Sequence, residues 1–168
     1  MAPSLTRRMA CFVYEAMILF GIGLVPGAIG AVFTAQTGHR DILQSDTALR
    51  VIAFAIYAIY FVWCWSRSGQ TLPMQTWHIR VETRDGTLLG QGRALLRYVA
   101  CWAWIVPGAL LASALHWGPW QSLGAVAAWI VIYALLSRLH PQRQFWHDAL
   151  CRTRLVTFRP VPLKAAAG

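Results

Sequence analysis

Four long apolar runs limit what this chain can fold into. A helix needs about 20 mostly apolar residues, and at least roughly 17, to cross the hydrocarbon core of a bilayer. The runs cover residues 9–33, 49–65, 98–115 and 120–139. Composition agrees, because only 12% of the residues are charged, against about 25% in an average soluble domain. The sequence therefore predicts an all-α membrane protein, a bundle of four transmembrane helices.

The positive charges are distributed unevenly between the segments that join these runs. Of the 15 Lys and Arg residues, only Arg40 lies between the first and second runs, and Arg50 lies at the start of the second; none lies between the third and fourth. The other 13 precede the first run, separate the second from the third, or lie at or after the end of the fourth. Cytoplasmic loops collect Lys and Arg, so both termini are expected in the cytoplasm.

Several other classes of protein are disfavoured. A net charge of +9 could indicate nucleic-acid binding, but the arginines lie between apolar blocks and not on a polar fold, so the expected partner is the lipid bilayer and not nucleic acid. The four cysteines lack metal-ligand spacing, so no metal site and no cofactor is predicted. A cleaved twin-arginine export signal at "TRRMACF" is disfavoured because Glu15 interrupts the run that follows.

The segments between and after the runs contain short strand signals. "WHIRVETRDGTLL" alternates at Ile79, Val81 and Thr83 and then reaches Asp85-Gly86, a hairpin turn signal. "RTRLVTF" near the end of the chain predicts a second strand, and the two could pair. "GQGRALLRYVACW" predicts a helix that leads into the third run. We therefore expect a short cytoplasmic β-hairpin or strand element beside the bundle.

Three stretches together resemble the RDD family of bacterial membrane proteins, which is named for one arginine and two aspartates. They are "RRMACFVYE" from Arg7, "GQTLPMQTWHIRV" from Gly69 and "RQFWHDALCRTRLV" from Arg143. The resemblance covers nearly the whole chain and implies a single membrane domain over residues 7–156, a tail at 157–168 and a place in the bacterial inner membrane. Transport, including sodium/proton exchange for some members, has been suggested for this family.

Carried over residue by residue, the resemblance gives a polar triad of Arg8, Glu15 and Asp148. Glu15 departs from the family pattern, which has an aspartate there, so the carboxylate reaches one methylene further. The supporting residues that the resemblance implies are Gly69, Gln70, Thr71, Arg143, Gln144, His147 and Thr153. We expect Asp148 to pair with Arg8, with Arg143 as the alternative partner, and His147 to bond to backbone.

Glu15 lies about 9 Å into the first span if that span begins near Met9, at ~1.5 Å per residue. A charged and unpaired acid at such a depth costs on the order of a few kcal/mol. We therefore expect Glu15 to face other helices in a polar recess, with Arg8 near the opening. It is either a titrating carboxyl of a carrier or part of a fixed cluster that keeps the helices in register.

Two functions follow from these alternatives. The sequence slightly favours a scaffold or accessory subunit whose Arg/Glu/Asp cluster is structural, because spans two to four carry only terminal arginines. The alternative is a transporter or cation/proton exchanger that uses Glu15. No catalysis is predicted, because His147 and Cys151 lack a third orienting group. Gly23, Gly27 and Ala31 form a small-residue stripe that favours packing within the chain over a homo-oligomer.

Overall fold

The computed structural model describes residues 2–37, 46–139, 141 and 144–159. The described residues form mostly helices, with one 3₁₀ turn at Trp102–Trp104 and one two-stranded sheet. The elements in chain order are α1 (Leu5–Thr37), α2 (Asp46–Arg67), α3 (Leu72–Thr76), β1 (Ile79–Thr83), α4 (Gln91–Cys101), α5 (Val106–Ala114), α6 (Pro119–Leu136), α7 (Trp146–Leu150) and β2 (Thr153–Thr157).

Three of the described helices are long and apolar enough to span a membrane, and there are four such spans if a bent pair of helices counts as one. The three are the first part of α1 at Leu5–Val25, α2 at Thr47–Arg67, and α6. The pair joins Gln91–Trp104 to α5 across a bend of 41°. Pro107 lies beside this bend, and proline breaks helices because it lacks an N–H and its ring clashes with the preceding turn. The predicted helical membrane protein is therefore confirmed, with a broken third span.

The start of α1 lies against the small sheet. Arg7 donates hydrogen bonds to the carbonyl oxygens of Trp77 and His78, and at 3.5 Å to Oγ1 of Thr157. The segment at 68–90, which follows α2, and residues 144–159, which come after α6, pack at this same end of the bundle. We call it the sheet end. The spans therefore run alternately away from and toward the sheet end, and the described chain both starts and stops there.

The sheet pairs two strands that lie far apart in the chain. β1 and β2 are antiparallel, with Ile79 opposite Thr157 and Val81 opposite Leu155. Ile79 and Val81 are buried on one face, as the alternation predicted. The predicted turn at Asp85-Gly86 forms, and Gly86 has a φ of +83°. The residues after this turn do not return as a hairpin strand; Leu89 instead enters the core and is 2% exposed.

The core lies where the spans meet the sheet, and it is rich in aromatic rings. The Trp104 ring centroid is 4.9 Å from each of the Phe12, Tyr133 and Phe145 centroids. Further along the spans the large apolar side chains face outward, and Phe20 and Ile59 are 68% and 70% exposed. Outward-facing apolar side chains of this kind are what a surrounding bilayer would cover.

Candidate functional site

A cavity of about 280 Å³ lies between α1, α2 and α4 next to the sheet end. One face of α1 forms a wall, because its lining positions follow the three- and four-residue spacing that places side chains on one side of a helix. Those positions are Arg8, Cys11, Phe12, Glu15, Ala16 and Leu19. Aromatic residues of α2 and α4 form the opposite walls, and residues of α3, β1, β2 and α7 form the floor.

Glu15 is held in this wall by two hydroxyl groups. The Tyr60 hydroxyl donates to Oε1 at 2.9 Å, and Thr71 Oγ1 donates to Oε2 at 2.5 Å. Thr71 is fully buried and also caps α3, since its Oγ1 accepts from the Met74 N–H at 3.4 Å. Glu15 itself is 9% exposed, so it faces other helices as predicted. Its carboxylate joins α1 to both α2 and the start of α3.

Arg8 also lines the cavity, but its guanidinium is poorly satisfied. The side chain is 6% exposed and lies over the Phe145 ring, 4.4 Å from the centroid. Its Nε and Nη1 are buried and have no hydrogen-bond partner among the described residues. In the described part of the chain Arg8 forms no ion pair with Glu15. A buried cation with free donors is costly, so these donors mark a place where an acceptor could bind.

The predicted partner of Asp148 was wrong. Asp148 pairs with Arg97 of α4, with 2.6 Å between Nη2 and Oδ1, and not with Arg8. Arg143, the alternative partner, lies outside the described residues. Asp148 is fully buried, and the Arg97 guanidinium lies 4.3 Å from the centroid of the Trp65 ring. This pair fixes α7 against the start of the third span.

His147 extends the same cluster. Its Nδ1 lies 2.9 Å from the Tyr133 hydroxyl, and its Nε2 lies 3.4 Å from Asp148 Oδ1. We expected this side chain to bond to a backbone group. It contacts the hydroxyl of Tyr133 instead. Burial lowers the pKa of His147 from 6.5 to about 4, since its 4% exposed ring sits in apolar surroundings, and Arg97 lowers it further while Asp148 opposes the shift. The ring is neutral at pH 7.

The supporting residues of the resemblance mostly complete the sheet. Gln70 donates to the Ile79 carbonyl at 2.7 Å, and the Gly69 carbonyl accepts from the Val81 N–H at 2.8 Å. On the outer edge of β2, the Gln144 side-chain amide pairs with both backbone groups of Leu155, at 3.1 and 2.9 Å. Thr153 Oγ1 donates to the Asp148 carbonyl at 3.2 Å. These contacts satisfy the open edges of a sheet that has only two strands.

Gly69 is the position in this segment where a side chain is least tolerated. Its φ is +72°, and an added Cβ would lie 2.7 Å from the Val81 carbonyl oxygen. We expect Gly69→Ala to lower the free energy of unfolding by about 1–3 kcal/mol, the usual cost of such backbone strain. Gly92→Ala is the matched control, because Gly92 is helical with open space around it and alanine favours helix. Equal midpoints of unfolding for the two variants would contradict this prediction.

The small-residue stripe of α1 divides into two parts. A Cβ added at Gly23 would lie 2.5 Å from the Tyr57 hydroxyl, so this glycine allows α2 to pack closely within the chain. The Tyr57 hydroxyl donates to the Leu19 carbonyl at 2.9 Å beside it. Gly27 and Ala31 face outward and are exposed. The favoured reading, packing within the chain, therefore applies to Gly23.

Sequence reasoning missed three members of the cluster, namely Tyr60, Arg97 and Tyr133. One signal could have identified Arg97, because it lies on the same helical face as Cys101 and Trp104, and a cation on an apolar face needs a buried partner. The tyrosines carry no such signal within apolar runs. Among the described residues, no group of three or more His, Cys, Asp or Glu side chains is placed to hold a metal ion.

The geometry defines a multi-pass membrane protein with a cavity among its spans, framed by buried arginine and carboxylate groups. The RDD family model matches residues 2–152, and the chain belongs to the RDD family. No curated protein and no solved structure matches it.

Proposed function

We propose that this protein is a proton-coupled carrier in the inner membrane of a bacterium and that Glu15 is its proton-binding group. The cavity among the spans is the observation that carries the proposal, because it brings Glu15, Arg8 and Arg97 to one space of about 280 Å³. A cluster that served only to hold helices together would be expected to fill its own interior, since protein cores leave few voids larger than a water molecule.

The contacts of Glu15 suit a group that changes its charge. Among the described residues both of its hydrogen-bond donors are neutral hydroxyls, and no cation is in contact to hold the carboxylate in its ionised form. The ionisable groups that act on it are Arg97 on α4, Tyr60 and Cys64 on α2, and Cys11 on α1.

The charges around the cavity balance in only one protonation state. Arg8 and Arg97 are positive and Asp148 is negative, while the buried His147 is neutral at pH 7. An ionised Glu15 brings the sum to zero, and a protonated Glu15 leaves one positive charge uncompensated. Uptake of a proton would therefore favour entry of an anion or exit of a cation, which is the coupling that a carrier needs.

Glu15→Gln is expected to abolish proton-coupled flux, because it keeps the shape of the side chain and removes the group that titrates. The test uses purified protein in liposomes that contain a trapped pH-sensitive dye. Two gradients are imposed separately, one of sodium ions and one of benzenesulfonate, an anion of a strong acid that does not cross lipid as a neutral acid. Wild type should change the internal pH under at least one gradient, faster than empty liposomes.

Glu82→Gln is the matched control for this experiment. Glu82 lies on β1, where its Oε1 is 4.0 Å from Arg154 Nε, and it does not line the cavity. Flux through the Glu82→Gln variant should equal that of wild type. Wild-type flux no faster than in empty liposomes under both gradients, or undiminished flux in Glu15→Gln, would contradict the carrier.

A structural scaffold is the second candidate, and the contacts of Glu15 favour it in one respect. The carboxylate joins α1, α2 and α3 through Tyr60 and Thr71, so it also has the geometry of a fixed helix connection. If that is its role, Glu15→Gln should lower the thermal stability of the protein, and wild type should show no flux. The liposome experiment therefore separates the two candidates.

We propose a non-catalytic role for the His147, Asp148 and Cys151 cluster. Burial raises the pKa of the Cys151 thiol, and the thiolate is the nucleophilic form. His147 is in contact with Tyr133, and Asp148 is in contact with Arg97.

We also propose that the protein can form a homo-oligomer through Gly27 and Ala31, which are exposed on α1.

We propose that both termini lie in the cytoplasm, as the distribution of cations predicts. The structure supports a common side for both ends, because the described chain starts and stops at the sheet end. Single cysteines at Ser68 or Thr157, in a variant without the four native cysteines, should resist an impermeant thiol reagent added to intact cells. Cysteines at Gln36 or Trp117 should react. Labelling in the opposite pattern would invert the topology.

A further inference from the structure

We propose that the cavity between α1, α2 and α4 binds a small aromatic monoanion, with its charged group on Arg8 and its ring against the aromatic walls. The inference rests on the proposed carrier and names the class of its cargo. It depends on three features of the same cavity, namely its size, its walls and its unsatisfied cation.

The size of the cavity suits a small ligand. Pockets for drug-sized molecules begin near ~300 Å³, and this cavity of about 280 Å³ lies just below that limit. At ~30 Å³ for each liquid water it has room for about nine waters, which is the room that one substituted ring and its charged group require.

The walls suit a flat ring. They are almost entirely apolar, and aromatic pairs gain stability from stacked or edge-on contact in addition to the apolar area they bury. Phe12 and Trp104 already stack on each other at 4.9 Å on one side of the space. The other aromatic residues that line it are Tyr57, Phe61, Trp65, Tyr98, Trp102 and Phe145.

Arg8 supplies the anion-binding group. Arg8 is 6% exposed and lines the cavity, and in the part of the chain that the structure describes its Nε and Nη1 have no hydrogen-bond partner. A guanidinium presents a planar fork of donors that matches a carboxylate or sulfonate. Arg97 is less suitable, because its Nη2 is already bonded to Asp148 at 2.6 Å. Among the described residues Arg97 keeps one donor without a partner, Nε, whereas Arg8 has two and no ion pair, so Arg8 is the better anion-binding group.

Other ligands fit less well. A metal cation would have Glu15 as its charged ligand, and both oxygens of that carboxylate already accept hydrogen bonds. A neutral apolar molecule would fill the space but leave the donors of Arg8 unsatisfied. A fatty acid from the bilayer shares the chemistry of an apolar monoanion, and it is separated from an aromatic anion by the experiment below.

The test is equilibrium dialysis of purified full-length protein in non-ionic detergent against radiolabelled benzenesulfonate. Benzenesulfonamide, which has nearly the same shape but is neutral at pH 7, should compete about tenfold more weakly or worse, because a charge-assisted hydrogen bond is lost. Laurate should also compete more weakly than unlabelled benzenesulfonate, since its chain cannot stack on the rings.

Two pairs of variants locate the site. Arg8→Gln should weaken binding about tenfold or more, whereas Arg7→Gln, the adjacent arginine that contacts the sheet end, should bind as wild type does. Ala16→Leu places three more carbons in the wall of the cavity and should abolish binding. Ala28→Leu on the same helix is its control, because both alanines are exposed but Ala28 does not line the cavity.

Equal competition by benzenesulfonamide, tighter binding of laurate, or unchanged binding in Ala16→Leu would overturn the inference. These measurements decide the question even if Arg8→Gln fails to fold, because they use wild type and a variant that keeps the charged cluster. A result that contradicts the proposed carrier function is distinct from a result that contradicts the proposed ligand. Binding without flux in liposomes would contradict transport alone, and sodium-driven flux without anion binding would contradict this ligand class alone.

Discussion

Replacing Asp148 with alanine is expected to lower the free energy of unfolding by about 3–5 kcal/mol, the range found when one partner of a buried ion pair is removed. Asp148 is fully buried and lies 2.6 Å from Arg97, which is itself 4% exposed. Without the carboxylate, the Arg97 guanidinium would stay in apolar surroundings with no counter-charge in contact. The decrease in the free energy of unfolding arises mainly from the buried, unpaired charge of Arg97 and less from the lost attraction within the pair.

The double variant Arg97→Met with Asp148→Leu should therefore be more stable than Asp148→Ala alone, because it removes both charges and keeps apolar volume. Reversible unfolding in mixed micelles of detergent and SDS measures these differences. Glu82→Ala is the control, because the pair of Glu82 with Arg154 is 4.0 Å long and its arginine is 42% exposed. A pair of that kind contributes only about 0–1 kcal/mol.

A double-mutant cycle compares the two candidate partners of Asp148 directly. Strong coupling with Arg97 and weak coupling with Arg8 is the expected result, because only Arg97 is in contact with the carboxylate. Coupling as strong with Arg8 as with Arg97 would contradict the arrangement described here.

The fold was largely predictable because the signals for it are local. The lengths of the apolar runs predicted the spans. The break in the third span lies at Ile105, immediately before Val106 and Pro107. The pairing of β1 with β2 was also foreseen from two alternating segments. The hairpin after Asp85-Gly86 was not formed, because β2 takes the ladder position and Leu89 is more stable in the core. The turn at Asp85-Gly86 was compatible with a hairpin or with a chain that leaves the sheet, and tertiary contacts selected the second.

The candidate site was less predictable because it depends on how the helices are arranged around each other. The burial of Glu15 followed from the cost of exposing it to lipid. Its hydroxyl partners, Tyr60 and Thr71, lie on other segments, and nothing in the spacing of α1 selects them. Similarly, the sequence groups Arg97 with the cations between the second and third spans. In the structure it lies on the buried face of α4 and pairs with Asp148. The charges were visible in the sequence, whereas their partners required the fold.

Acidification from pH 7 to pH 4 is expected to remove about 3 kcal/mol of stability through His147 alone, at ~1.4 kcal/mol for each unit between 6.5 and the folded pKa of about 4. The folded pKa is the lower one, so the unfolded chain binds the proton more readily. The stabilising contribution is therefore complete above pH 6.5, falls as the pH decreases through the interval, and is lost below about pH 4. The contribution arises because the His147 ring is buried between the rings of Phe145 and Tyr133, where a positive charge would be poorly solvated.

His147→Asn is expected to flatten this pH dependence, because asparagine does not titrate and can still bond to the Tyr133 hydroxyl. His116→Asn is the control, since His116 is exposed and has a φ of +52°, which asparagine tolerates. The midpoint of unfolding is measured from pH 4.5 to 7.5 for wild type and both variants. Carboxylates titrate near the lower limit in all three proteins, so the difference between the His147 and His116 variants isolates the imidazole. The same slope in both variants would show that His147 does not carry the effect.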